Sequence, residues 1–221
     1  MTGGFKQFKQ SHQTNHQEDF MKRTIAFSLL AAGLLLSGSA LAEAVVGQPA
    51  PAFTGVDTAG KPVSLDQYKG KYVVLEWVNP ECPFVKKHYD SGNMPSVQKY
   101  AADKGVVWLS VSTSADGDRA GKSAAISDWV KAKKAMPAAT IMDLGGAIGK
   151  AYGARTTPHM YLVDPSGKLV YAGAIDSKPS ANPADIKSST NYMVQAIDES
   201  LAGKPLSQAV TKPYGCSVKY G

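Results

Sequence analysis

Residues 73–89, VVLEWVNPECPFVKKHY, constrain the fold more than any other stretch of the chain. Val73, Val74, Leu75, Trp77 and Val78 are aliphatic or aromatic, as in a buried strand, and Glu76 is the one acid among them. Asn79-Pro80-Glu81 breaks the pattern and turns the chain. Pro83 lacks a backbone N–H and has a fixed φ, so it suits the first position of a helix. Cys82 then falls at the N-cap, beside unpaired N–H groups and the positive end of the helix dipole. Both favour the thiolate, the reactive form of cysteine. The stretch has the character of a redox site.

The chain upstream has the order of a secretory signal. Met21-Lys22-Arg23 is basic, Ile25–Leu36 is apolar but short for a bilayer span, and Ala40-Leu41-Ala42 matches an A-x-A cleavage site. No cysteine lies near the cut, so no lipid anchor is expected. Residues 1–20 are polar and rich in Gln and His, upstream of a second methionine able to serve as the start. The expected organisation is an N-terminal extension with a cleavable signal peptide at 1–42 (core 21–42), then one domain at 43–221. An exported, periplasmic protein follows, without membrane insertion after cleavage. An uncleaved anchor is the plainer alternative.

Removing residues 1–42 leaves 179 of 221, enough for one well-buried domain. The whole chain has 24 Lys and Arg against 18 Asp and Glu. Taking away Lys6, Lys9, Lys22 and Arg23, with Glu18 and Asp19, leaves 20 against 16, a net +4. The lysines are scattered, with no basic face and no interleaved aromatics, which argues against nucleic-acid binding.

Punctuation along the mature chain predicts the elements. Thr54–Val63, with Gly60 at its turn, forms a hairpin, and Lys71–Val78 the central strand. A helix from Pro83 breaks at Ser91-Gly92-Asn93 and Pro95, resumes at Ser96–Asp103 and stops at Gly105. Val106–Val111 is a strand, Asp116–Arg119 a polar loop, and Ala124–Ala135 a helix with Ile126, Trp129 and Val130 on one face. Thr140–Met142 is a short strand and Gly145–Tyr152 a short helix. His159–Val163 and Leu169–Ala172 flank the turn Asp164-Pro165-Ser166-Gly167. A Pro/Ser-rich loop at Asp176–Ser189 and a helix at Tyr192–Leu201 precede the tail, 206–221. The order β-β-β-α-β-α-β-α-β-β-α favours an α/β domain with a mixed sheet.

Three motifs, VVLEWVNPECPF, GARTTPHMYLVDPSGKLVYAGAID and YGCSVKY, resemble exported redoxin-domain proteins of the peroxiredoxin-like and thioredoxin-like superfamily. The alkyl hydroperoxide reductase/thiol-specific antioxidant type is the nearest, and the resemblance covers essentially 43–221. It implies a thioredoxin-like fold with an N-terminal hairpin and a C-terminal extension, thiol-based oxidoreductase or antioxidant activity, and no cofactor or metal. Cys82 falls where the family places its attacking cysteine, and Thr157-Pro158 where thioredoxin folds hold a cis-proline loop facing it. That loop can pair its backbone with an extended substrate. Cys216 resembles a resolving cysteine. The chain also departs from both parent patterns. Val85 stands where thioredoxins carry their second cysteine, which excludes a one-helix CxxC shuttle. Asn79 and Leu75 stand where peroxiredoxins have a hydroxyl residue and a proline, and Arg155 is the nearest counterpart of their arginine.

The mechanism implied begins with attack by the Cys82 thiolate on a peroxide oxygen, giving a sulfenic acid, or on a protein disulfide, giving a mixed disulfide. Cys216 then closes Cys82–Cys216, and an exported or membrane-linked thiol reductant reopens it. Glu76, six residues before Cys82, is the candidate proton relay; the alternatives are a solvated face or a salt bridge to lysine. Asn79, Thr157, His159 and Arg155 are the candidate substrate-positioning residues beside Pro158. His159 is the better histidine neighbour for the thiolate, and His88 is placed off its face. Lys86 and Lys87 would favour the thiolate and Glu81 oppose it. Two other classes compete: a copper chaperone, since Cys, His and Met suit Cu(I), and an inert binding module with Cys82–Cys216 as a structural staple.

Overall fold

A computed structural model describes residues 1–4, 43–115 and 119–220. Leu41–Gly221 form one unit, and of the other, Met1–Ala40, only residues 1–4 are described, without regular secondary structure. The signal-peptide reading and residues 116–118 of the expected polar loop lie outside the described residues.

Thr54–Val56 (β1) and Pro62–Ser64 (β2) pair antiparallel as the expected hairpin, and a 3-10 turn at Leu65–Tyr68 follows. Next come Val73–Trp77 (β3), Pro83–Asp90 (α1), Asn93–Asp103 (α2) and Val107–Ser114 (β4). Arg119–Ala132 (α3), Ala139–Leu144 (β5) and Ala147–Tyr152 (α4) continue the alternation. The chain closes with Thr156–Thr157 (β6), His159–Val163 (β7), Leu169–Gly173 (β8), a 3-10 turn at Pro183–Ser188, Tyr192–Leu201 (α5) and Cys216–Ser217 (β9).

The main sheet has the order β5-β4-β3-β7-β8. β3, β4 and β5 run parallel, while β7 is antiparallel to both β3 and β8. This is the mixed sheet the alternation predicts. β3 is its middle strand and all five of its residues are buried, which explains the apolar run in the sequence. Alternation splits its side chains between two cores. Val74 and Val78 join Val85 and Tyr89 of α1, Met94 and Val97 of α2, and Met193 and Ile197 of α5. Val73, Leu75 and Trp77 join Phe53, Tyr152 and Tyr161 on the opposite face. Truncating a side chain such as Leu75 to Ala costs about 2–5 kcal/mol at sites of this kind.

One expectation is corrected. α2 begins at Asn93, so Pro95 lies inside its first turn, where a missing N–H forfeits no helical bond. The tail adds a short strand that the sequence did not announce: β9 pairs antiparallel with β6, Thr157 opposite Cys216.

Candidate functional site

β3 ends at Trp77, and the turn after it delivers Cys82 to the start of α1. The Asn79 side chain accepts from the Glu81 N–H at 3.0 Å, and its carbonyl accepts from the Cys82 N–H at 3.0 Å. Cys82 has extended backbone (φ −73°, ψ 122°) and Pro83 opens the helix, so the N-cap expectation is met. The residue is 1 % exposed.

The Thr157–Pro158 bond is cis. It presents the Thr157 carbonyl to the cysteine, and Cys82 Sγ–H donates to that oxygen at 3.0 Å. Cys216, opposite Thr157 in the β6–β9 pair, completes the group. Gly215 lets it get there. A Cβ at that residue would stand 2.1 Å from the Thr157 oxygen, and its φ of +134° is one that side chains rarely adopt. Both cysteines are free thiols, Cys82 buried and Cys216 partly exposed.

The two thiols are tuned apart. Burial, the largest influence on Cys82, opposes its ionisation. Hydrogen bonding from the Cys216 thiol, the Thr157 hydroxyl and the N–H groups of Val85 and Cys216 outweighs it, so the Cys82 thiol ionises below its ordinary range. The Thr157 hydroxyl is itself buried without a well-formed partner, leaving it available to the sulfur anion. Burial, followed by the proximity of Cys82, pushes Cys216 up to about 11.

The other predicted residues lie elsewhere. Glu76 is fully buried, on neither a solvated face nor a lysine bridge. It accepts from Tyr89 Oη at 2.8 and 2.9 Å, Trp108 Nε1 at 2.8 Å, and Gln98 Nε2 and Ser110 Oγ at 3.3 Å each. Burial raises it to about 7, against those hydrogen bonds. None of its partners is Cys82. His159 turns away into the Trp77–Tyr161 core, its ring 4.5 Å from that of Tyr161. Its Nδ1 accepts from the Arg155 N–H at 3.2 Å, and burial, then the Arg155 charge, lower it to about 3. It is neutral and gives the thiolate no cation. The Arg155 guanidinium pairs with Glu43 at 3.2 Å, both exposed, while its carbonyl accepts from the Val218 N–H of the tail at 3.0 Å. Lys86 pairs with Glu81 at 3.4 Å and Lys87 with Asp176 at 3.2 Å, so neither acts as the thiolate partner expected.

Sequence reasoning missed the cluster beneath the tail. Lys87 Nζ is buried and also donates to the Lys178 carbonyl at 3.0 Å. Tyr214, two residues before Cys216, donates to Asp176 Oδ1, and its ring meets Phe84 edge-on at 5.8 Å. His88 Nε2 lies 3.4 Å from the Tyr214 hydroxyl, and burial lowers this histidine to about 4. The YGC motif was the one available signal, since lysine and histidine on a short helix read as surface. Beside Asn79 and Glu81 a groove of about 370 Å³ runs along Ile126, Trp129, Met142 and Lys219. Among the described residues, no three His, Cys, Asp or Glu side chains gather as a metal site, and no helix is long and apolar enough to cross a membrane.

Residues 46–172 match the AhpC/TSA family. The thiol-disulfide oxidoreductase ResA of Bacillus thuringiensis subsp. konkukian is 30% identical over 132 residues, 57% of this chain and 67% of that protein. An uncharacterized conserved protein from Geobacillus kaustophilus superposes with a TM-score of 0.65 at 25% identity, over 80% of this chain and 93% of its own. A Chlorobium tepidum chain assigned as thiol:disulfide interchange protein DsbE gives a TM-score of 0.55 at 21% identity, over 72% and 99%. The fold is thioredoxin-like.

Proposed function

The chain belongs to the AhpC/TSA family, and from that membership we propose that it is an exported thiol-dependent oxidoreductase working by thiol–disulfide exchange between Cys82 and Cys216. The observation that carries this reading is the contact of the two free thiols across the cis-proline loop, one tuned down and the other up. The Cys82 thiolate attacks one sulfur of a substrate disulfide; that S–S bond breaks, and the second substrate sulfur leaves as a thiolate. Cys216 loses its proton and attacks Cys82 Sγ. The substrate is released as a dithiol and Cys82–Cys216 forms. A thiol reductant in the same compartment restores the pair.

Support comes from the relative named as a thiol-disulfide oxidoreductase and from the replacement of the peroxiredoxin hydroxyl by Asn79, whose side-chain oxygen is spent on the turn. Peroxide reduction is the second reading. It is favoured by the close burial of Cys82, which suits a small substrate, and by the Thr157 hydroxyl, which lacks a well-formed partner and can donate to a peroxide or a sulfenate. The signal-like order of residues 21–42 supports export.

The test is a pair of second-order rates for the reduced chain, with a peptide disulfide and with hydrogen peroxide. Fast exchange with slow peroxide consumption is expected. The reverse order would make it a peroxidase, and no reaction with either would leave an inert stapled module.

A further inference from the structure

We infer that the C-terminal segment, residues 211–220, is a tethered occupant of the strand edge an extended disulfide-bearing substrate would use, latched there by Tyr214 on the buried Lys87–Asp176 pair. The inference rests on Cys82 being the attacking thiol, as proposed above.

The edge beside Cys82 is residues 155–157. An incoming peptide whose cysteine must reach Cys82 has this backbone to pair with, in the manner of strand addition. The chain's own tail already pairs with it: Thr156 lies opposite Ser217 and Thr157 opposite Cys216, while the Val218 N–H donates to the Arg155 carbonyl at 3.0 Å. The tail thus sets a cysteine where a substrate would have to place one. With it docked, Cys82 is 1 % exposed. A bulky disulfide reaches that sulfur only when the tail lifts.

Two tyrosines hold the tail on either side of Cys216. Tyr214 donates to Asp176, meets Phe84 and lies 5.6 Å beneath Lys87 Nζ. Phe84 and Lys87 both belong to α1, the helix that Cys82 caps, so this latch ties the tail to the cysteine's own helix. The Lys87 and Asp176 side chains are 0% and 2% exposed, which makes the anchor a fixed charge pair rather than a surface contact. On the far side Tyr220 Oη donates to the Ala154 carbonyl at 2.6 Å, and its ring lies where a Cβ on Gly149 would come within 2.9 Å. Substrate entry and tail docking are therefore mutually exclusive, and Tyr214 sets the balance between them.

The test uses the full chain with Cys216→Ser, which leaves Cys82 as its only thiol. Modification of Cys82 by a bulky maleimide is followed by mass spectrometry, with and without Tyr214→Phe. That change keeps the ring on Phe84 and removes only the hydroxyl. Losing a hydrogen bond to a buried carboxylate should raise the modification rate about tenfold. Tyr220→Phe, on the other side, should raise it in the same direction and serves if Tyr214→Phe does not fold. Equal rates in all folded variants would overturn the latch. The pH midpoint of the same rate reads the underlying function separately. A midpoint at or above that of a free peptide thiol would remove Cys82 as the attacking group, whatever the ratio between variants.

Discussion

Cys82 and Cys216 carry the same chemical group a short distance apart, and their surroundings make them unlike. The Cys82 thiol is buried at a helix start, faces donors from Val85, Thr157 and Cys216, and ionises below its ordinary range. The Cys216 thiol stands on a two-residue strand, partly buried, and burial first, then that developing anion as its neighbour, pushes it up to about 11. On the mechanism proposed above, the more readily ionised Cys82 is the nucleophile and Cys216 is its proton-bearing neighbour. An attacking thiolate needs prior ionisation, whereas a resolving thiol needs to lose its proton only once a mixed disulfide has removed the negative charge beside it. On the proposed mechanism, that asymmetry sets the order of the two steps.

A second pair of groups repeats the lesson with carboxylates. Glu76 is buried among neutral donors and is raised to about 7, so it can exchange a proton near neutrality. Asp176 is buried against Lys87 and the Tyr214 hydroxyl, where it anchors the tail. Burial alone determines neither role; the partner does.

The sharpest way to break the comparison between the thiols is to remove the nucleophile. Cys82→Ser should lower disulfide exchange by about 10³-fold or more, read as substrate turnover, because serine is not ionised at neutral pH. Comparable loss from Cys216→Ser in the first, attacking step would contradict the assignment. Next in size is the anchor. Asp176→Asn leaves Lys87 buried without its counter-charge and should destabilise the fold by about 3–5 kcal/mol in urea unfolding. A change below about 1 kcal/mol would show that Lys87 reaches solvent.

Glu76→Gln tests the neutral-donor cage. A carboxyl raised from 4.5 to about 7 favours the folded state fully below its unfolded value, and that stability is lost as pH rises through the folded value. Between about pH 4.5 and 8, the wild-type chain should therefore lose about 3 kcal/mol relative to Glu76→Gln. Parallel stability curves would contradict the raised value. The smallest effect concerns the donor from the tail. Cys216→Ala removes the side-chain hydrogen bond to the Cys82 sulfur, so the midpoint of Cys82 thiolate absorbance should move up; an unchanged midpoint would assign the tuning to the Thr157 hydroxyl and the N–H groups of Val85 and residue 216.

The site was legible where local rules act. Pro80 and Pro83 around Cys82 specified the turn and helix start, and the helix expected at Tyr192–Leu201 has the same limits in the structure. Thr157-Pro158 followed from resemblance and is cis. What stayed hidden depends on pairing between distant segments. β9 is two residues long, too short for any period, and exists because β6 offers it an edge. Lys87 looked like a surface cation near the thiol because lysine is seldom buried, and only Asp176, 89 residues away, explains its place. His159 follows Pro158 in sequence, but strand alternation sends its ring to the opposite core.

The most direct test is to mix the reduced chain with a substoichiometric peptide disulfide, quench with acid at short times and map the cysteines by mass spectrometry. The wild-type chain should show a Cys82–Cys216 bond with only a transient adduct on Cys82, and Cys216→Ser should hold that adduct. An adduct on Cys216 in place of Cys82, or oxidation that never joins the two cysteines, would contradict the account.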